Sequence, residues 1–198
     1  MKHKSIIIGL FFVGMCGNVP AQNPIVVPKM KLPFYVFSDR GTPQAGYDFA
    51  PSGWMGSVDA LEVDTCSDEL PYHGPCCMKV TFHDPNSWAG VVWQNPAGNW
   101  GEEEGGLDLT GARRISFWAR GQKGGETVEF SMGVLGKDKK FFDSTSVNLG
   151  IVRLSKYWKQ YSIPLEGKNL SRIVTGFSFS VKGQPRPVVF YLDDIIYE

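Results

Sequence analysis

Charge of one sign is missing: Lys+Arg and Asp+Glu both number 20 among 198 residues, so the formal net charge is zero. No net field draws in nucleic acid or an anionic membrane, and no block of like charge reads as a solvated tail. A neutral partner fits such a surface better. Long apolar runs are also scarce. The only one, Ile6 to Met15, is too short to span a bilayer. A periodic amphipathic helix is lacking too; Leu165 to Leu170 offers a single turn at most. Histidine and cysteine are few, at 3 and 4. The spacing of Cys66, Cys76 and Cys77 with His73 and His83 matches no common zinc motif, although zinc there is the sharper alternative to a disulfide.

What is plentiful is glycine, at 23, proline, at 13, and aromatic residues, at 13%. Those proportions suit strands and turns. Lys2 and Lys4, the apolar run, and the small residues of Gly17-Asn-Val-Pro-Ala21 mark residues 1–21 as a removed secretory signal. Cys16 raises a lipoprotein alternative, which the bulky Met15 before it disfavours. The expected location is therefore secreted, periplasmic or cell-surface. Residues 22–33 are expected to form an extended, partly mobile, Pro-punctuated linker, and residues 34–198 a single domain.

Strands are expected at Phe34–Ser38, Val58–Cys66, Cys77–His83, Ala89–Gln94, Arg114–Gly121, Val128–Val134, Ser146–Leu154, Tyr157–Pro164, Ile173–Val181 and Val188–Tyr197. Short strands with turn residues between them predict an all-β, two-sheet antiparallel sandwich, a jelly roll. Gly46 to Gly56 reads as a binding loop carrying Tyr47, Asp48 and Trp54. In an oxidising compartment three cysteines leave one disulfide and one thiol. Strand parity puts Cys66 and Cys77 both outward and predicts that they pair.

The stretch Trp88 to Trp100 holds three of the six tryptophans. Alternation places Ala89, Val91 and Trp93 on a core face and Trp88, Gly90, Val92 and Gln94 on a surface where a flat ligand can lie. The turn Asn95 to Asn99 then carries Trp100 on a loop. Along Arg114 to Gly121, Ile115, Phe117 and Ala119 point inward and Ser116, Trp118 and Arg120 outward; the turn Gly121 to Gly125 leads on to Glu129 and Ser131, expected on the face of Trp118. Trp118 is thus a second partly exposed ring.

Leu107-Asp-Leu-Thr-Gly-Ala-Arg-Arg-Ile-Ser-Phe-Trp-Ala-Arg-Gly121, Tyr157-Trp-Lys-Gln-Tyr161 and Phe190-Tyr-Leu-Asp-Asp-Ile195, in that order, resemble the β-jelly-roll carbohydrate-binding modules of the galactose-binding-domain-like group. The likeness spans Phe34 to Glu198. Such modules usually accompany secreted glycoside hydrolases, so the resemblance implies binding of a neutral polysaccharide or oligosaccharide without catalysis, with a polysaccharide-degrading enzyme as a possible partner. It also implies a structural calcium, carried over to Asp193, with Asp194 beside it and Asp39 from the N-terminal side; calcium takes several oxygen ligands. A pyranose stacks its C–H face on an aromatic ring. Trp88, Trp100 and Trp54 with Tyr47 are the candidate faces, and Gln94, Asn99 and Asp48 the polar edge.

Two other classes remain open. A hydrolase needs paired carboxylates, for which Asp48, Asp59, Glu102 to Glu104 and Glu129 sit in no recognisable motif. A lyase would need a base such as His73 or His83. A protein-interaction or adhesin domain would use the same aromatic patch.

Overall fold

The computed structural model describes residues 26–38 and 47–198. The signal segment, Cys16 and Asp39 lie outside them. The chain forms eleven strands: β1 Phe34–Phe37, β2 Ala50–Gly56, β3 Leu61–Ser67, β4 Cys77–Phe82, β5 Trp88–Gln94, β6 Arg114–Gly121, β7 Thr127–Met132, β8 Val147–Arg153, β9 Lys159–Pro164, β10 Thr175–Lys182 and β11 Val188–Tyr197. Among the described residues the only helical element is a 3-10 turn, Val58–Ala60. Two antiparallel sheets pack face to face. One has the order β3-β4-β11-β6-β9, with β1 paired to the far end of β11; the other has the order β2-β5-β10-β7-β8.

The alternation expected from the sequence fills the space between the sheets. Met78, Val80 and Phe82, Ala89, Val91 and Trp93, Ile115, Phe117 and Ala119, Val128, Phe130 and Met132, and Phe177 and Phe179 are all buried in one cluster. Phe177 touches Trp93, Phe117 and Phe130 edge-on or tilted, at ring-centre distances of 5.5, 5.3 and 6.0 Å, so both sheets meet on one ring.

Four expectations are corrected. First, Ala50–Gly56 is not a loop but the edge strand β2, paired with β5. Pro51 and the glycines made it read as irregular; an edge strand needs donors on one side only, and the register shifts between Pro51 and Gly53, so both are accommodated. Second, part of the expected linker is docked. Met30 is buried in the core, and it and Pro28 bracket Asp108 through Met30 N→Asp108 O and Asp108 N→Pro28 O, at 2.8 and 2.9 Å.

Third, the disulfide joins Cys66 to Cys76, with Cα atoms 4.8 Å apart, and Cys77 is a buried free thiol. Leu61↔Phe82, Glu62↔Thr81, Val63↔Val80 and Asp64↔Lys79 follow one register, which if continued would set Cys66 opposite Cys77. A bulge after Asp64 inserts one residue, so Ser67 faces Cys77 and Cys66 swings past it to Cys76. Fourth, Glu129 and Ser131 do not share a face with Trp118. The turn Gly121 to Gly125 carries the chain from the six-stranded sheet to the five-stranded one, so outward residues of β6 and β7 lie on opposite sides of the molecule.

Candidate functional site

Directly opposed residues of antiparallel strands share a face, so the registers define rows across the outer side of the five-stranded sheet. One row runs Trp88, Lys182, Thr127, Arg153. The next runs Met55, Gly90, Ser180, Glu129, Ile151, and the third Gly53, Val92, Ser178, Ser131, Asn148. Gly90 and Ser180 lie low between Met55 and Ile151 in the second row, and Ser178 and Ser131 continue that floor in the third, so the sheet bears a shallow trough.

Its floor is tightly built. A Cβ on Gly90 would lie 2.7 Å from Phe179 O and 3.0 Å from Met55 Cε. Ser178 and Ser131 bond to each other, Oγ to Oγ at 2.7 Å, and Ser178 Oγ also donates to Ser131 O at 3.1 Å. The Glu129 carboxylate lies across the floor. Asn148 Nδ2 donates to its Oε1 at 2.6 Å, and Ser180 Oγ reaches its Oε2 at 3.5 Å.

Trp88, 44% exposed, closes one end of the trough beside Lys182. Trp100 stands at the other end, half-buried; its Cζ2 would touch a Cβ placed on Gly53, at 2.9 Å. Ile151 and Met55 form the sides, and Ile151 is exposed. Trp88 and Trp100 thus both border the outward face of β5.

The other expected residues are placed differently. Gln94 and Asn99 lie beneath Trp100, 1% and 2% exposed. Gln94 accepts from Ser52 Oγ at 3.0 Å and donates to Asn99 O at 2.8 Å, while Asn99 spends its side chain on Glu103 O and Gly101 N, at 2.9 and 2.8 Å. They hold the loop that carries Trp100. Tyr47 is exposed, and Asp48 lies beside this loop, its carbonyl accepting from Asn95 Nδ2 at 2.8 Å. Trp54 pairs with Val91, so it points to the inner side of the edge strand, away from the trough.

Trp118 is on the far side of the molecule. It stacks against Tyr72 with ring centres 3.6 Å apart. Tyr72 belongs to a strap, residues 67–76, that lies over the outer face of the six-stranded sheet and is stapled at its base by the disulfide. Arg120 Nη2 donates to Glu69 O at 2.6 Å, Trp158 Nε1 to Leu70 O at 2.9 Å, and Tyr191 Oη to Glu69 Oε2 at 2.5 Å; Lys79 Nζ binds the other Glu69 oxygen. Lys79 and the Tyr191 hydroxyl together hold the Glu69 carboxyl below its ordinary range. The Arg120 guanidinium lies 3.7 Å from the centre of the Tyr191 ring.

The strap ends on the expected calcium residues. Asp193 Oδ2 accepts from Tyr72 N and His73 N at 3.0 and 3.1 Å, and its Oδ1 from Asp194 N at 2.8 Å. Asp194, in the left-handed region at φ 44°, accepts from Ser38 Oγ at 2.6 Å and binds His73 Nδ1. Burial pushes the Asp193 carboxyl up. Two carboxylates and a hydroxyl at one bulge are hard oxygen donors of the kind calcium takes, though they reach only part of its six to eight or so ligands. Among the described residues no group of three or more His, Cys, Asp or Glu is arranged to hold an ion.

Sequence reasoning missed Ser178, Ser180, Met55, Ile151, Lys182 and Arg153 as residues that share the outer face with Trp88. The alternation along β10 marks its serines as outward, but only strand order says what lies beside them.

No protein-family model and no curated protein matches the chain. Among solved structures it is similar to a family 30 carbohydrate-binding module, with a TM-score of 0.56 and 17% identity over 85% of this chain and 99% of that one. It is also similar to the family 30 module of a cellulosomal cellulase of Clostridium thermocellum, at a TM-score of 0.48 and 19% identity over 88% of this chain and 95% of that one. A third is a family 61 module solved in complex with β-1,4-galactotriose, at a TM-score of 0.43 and 19% identity, covering 76% and 90%. The fold is that of the β-sandwich carbohydrate-binding modules.

Proposed function

We propose that the protein is a secreted, non-catalytic carbohydrate-binding protein that lays a saccharide chain along the trough of the five-stranded sheet. The observation that carries this reading is the arrangement of Trp88 and Trp100 at either end of a floor of glycine and serine. An indole face accepts the C–H face of a pyranose, and the serine hydroxyls, Asn148 and Glu129 are polar groups suited to sugar hydroxyls. The three rows contain one carboxylate, Glu129, whereas glycoside hydrolysis employs two facing each other.

Working beside a polysaccharide-degrading enzyme fits this role. Calcium belongs to the same reading: Asp193 and Asp194, with Asp39, would hold it, and it would offset two carboxylates crowded together.

Titration with a set of oligosaccharides, followed by tryptophan emission, tests the proposal. Binding is expected with at least one of them, and Trp88→Ala or Trp100→Ala should weaken it by about 1–3 kcal/mol each while the circular dichroism is unchanged. Equal affinity in both variants would place the ligand elsewhere. Capture of a protein partner without any glycan binding would favour the adhesin reading.

A further inference from the structure

The row that starts at Trp88 ends in positive charge. Trp88, Lys182, Thr127 and Arg153 stand side by side on four adjacent strands, so the row is about 14 Å long, more than one sugar ring. Beyond Arg153 and Thr127 the trough opens into a depression of about 360 Å³ between the turn Lys123 to Glu126 and the turn Gln184 to Pro187. Lys123, Arg153 and Arg186 line it, all three exposed. The Arg153 guanidinium rests on Gly125, where an added Cβ would lie 3.3 Å from Nη2, so a bare backbone gives it a seat over the depression. Gln184 Nε2 bonds Thr127 Oγ1 at 3.2 Å and ties the second turn to the trough.

Among the described residues none of Lys123, Arg153, Lys182 or Arg186 takes part in an ion pair. Two carboxylates are near. Glu129 lies one row away and is held by Asn148 and Ser180. Glu126 is 8% exposed, with Oε1 taken by Lys123 N at 2.8 Å and Oε2 packed against Gly121, so its charge sits inside the turn.

Resting on the carbohydrate reading above, we infer that the saccharide is acidic: a ring stacked on Trp88 is continued by a uronate whose carboxylate is held at Lys123, Arg153 and Arg186. A planar carboxylate matches the two-pronged donor geometry of arginine. The zero net charge of the whole chain hides this local excess.

The test uses the full chain and matched ligands: neutral gluco-, manno- and galacto-oligosaccharides against the glucuronate, mannuronate and galacturonate oligomers of the same linkage and length, with sulfated neutral oligomers as a third arm. One uronate oligomer is expected to bind about tenfold more tightly than its neutral counterpart, the sum of three exposed pairs each of modest strength. That advantage should vanish in K123Q/R153Q/R186Q and between about 20 mM and about 300 mM salt, while Trp88→Ala weakens neutral and acidic ligands alike. Neutral ligands binding as well as uronates, with the triple variant indifferent, would overturn the inference and leave the carbohydrate reading standing. Sulfated oligomers binding while uronates fail would overturn the carboxylate assignment. Failure of every oligomer would remove both.

Discussion

The thiol of Cys77 is packed with Val189, Tyr191 and Trp158, and burial pushes its pKa up to about 11. A neutral, covered thiol is a poor nucleophile. Iodoacetamide at pH about 8 should therefore leave Cys77 unmodified in the native protein and alkylate it in denaturant without reductant, with peptide mapping returning a Cys66–Cys76 bridge. A Cys66–Cys77 bridge would contradict the bulge in β3. A second residue that acts through burial is Asp143. Its Oδ1 accepts from Val174 N and Thr175 N at 2.6 and 3.0 Å, and its Oδ2 from Leu135 N and Thr175 Oγ1 at 2.9 and 2.5 Å. Burial raises the carboxyl pKa, against the pull of those donors. Asp143→Asn would turn an NH2 group either toward the Val174 and Thr175 N–H donors or toward the Leu135 N–H and the Thr175 hydroxyl. It should cost about 2 kcal/mol in urea unfolding; a change within experimental error would show that the site relaxes or takes in water.

At the scale of elements, the strap is held mainly by polar contacts to strands of the sheet beneath. Glu69 is the anchor whose charge can be removed. Its folded pKa lies below that of the unfolded chain, so its contribution is complete above the ordinary glutamate range and fades as pH falls through the lower folded value. Asp193 has the opposite sign: burial raises its pKa, so the stability it contributes is present at low pH and is lost as pH rises through the raised value. Acid loosening of the strap should therefore follow Glu69. Tryptophan emission, reporting Trp118 and Trp158, is expected to shift to the red on acidification in the parent protein, with the corresponding step absent in Glu69→Gln. Identical titrations in the two would exclude Glu69 as the acid-sensitive anchor.

For the whole molecule, the ends of β1, β11 and the strap meet at Asp193 and Asp194. An ion bound there would couple all three to the sandwich. If calcium binds, saturating ion should raise the melting temperature by about 5–10 °C over chelator, and Asp194→Asn should remove the shift; equal melting with and without calcium would count against a site. Much of the architecture is written locally. Period-two alternation fixes which residues of β5, β6, β7, β10 and β11 face inward, because burial of one sheet face is decided residue by residue, and the outward placement of Trp88 follows from the same rule. The edge strand β2 escapes that rule, since glycine and proline are acceptable where one backbone side needs no partner. A bulge moves the disulfide by one position, and no local pattern marks it. The sequence alone determined an antiparallel sandwich with Trp88 and Trp100 outside it. Only the tertiary structure decided that Trp54 and Trp118 stand apart from them and that Ser178, Glu129, Lys182 and Arg153 do not. Strand order and the crossing between sheets depend on contacts between residues far apart in the chain, which an alternating pattern within one strand does not encode.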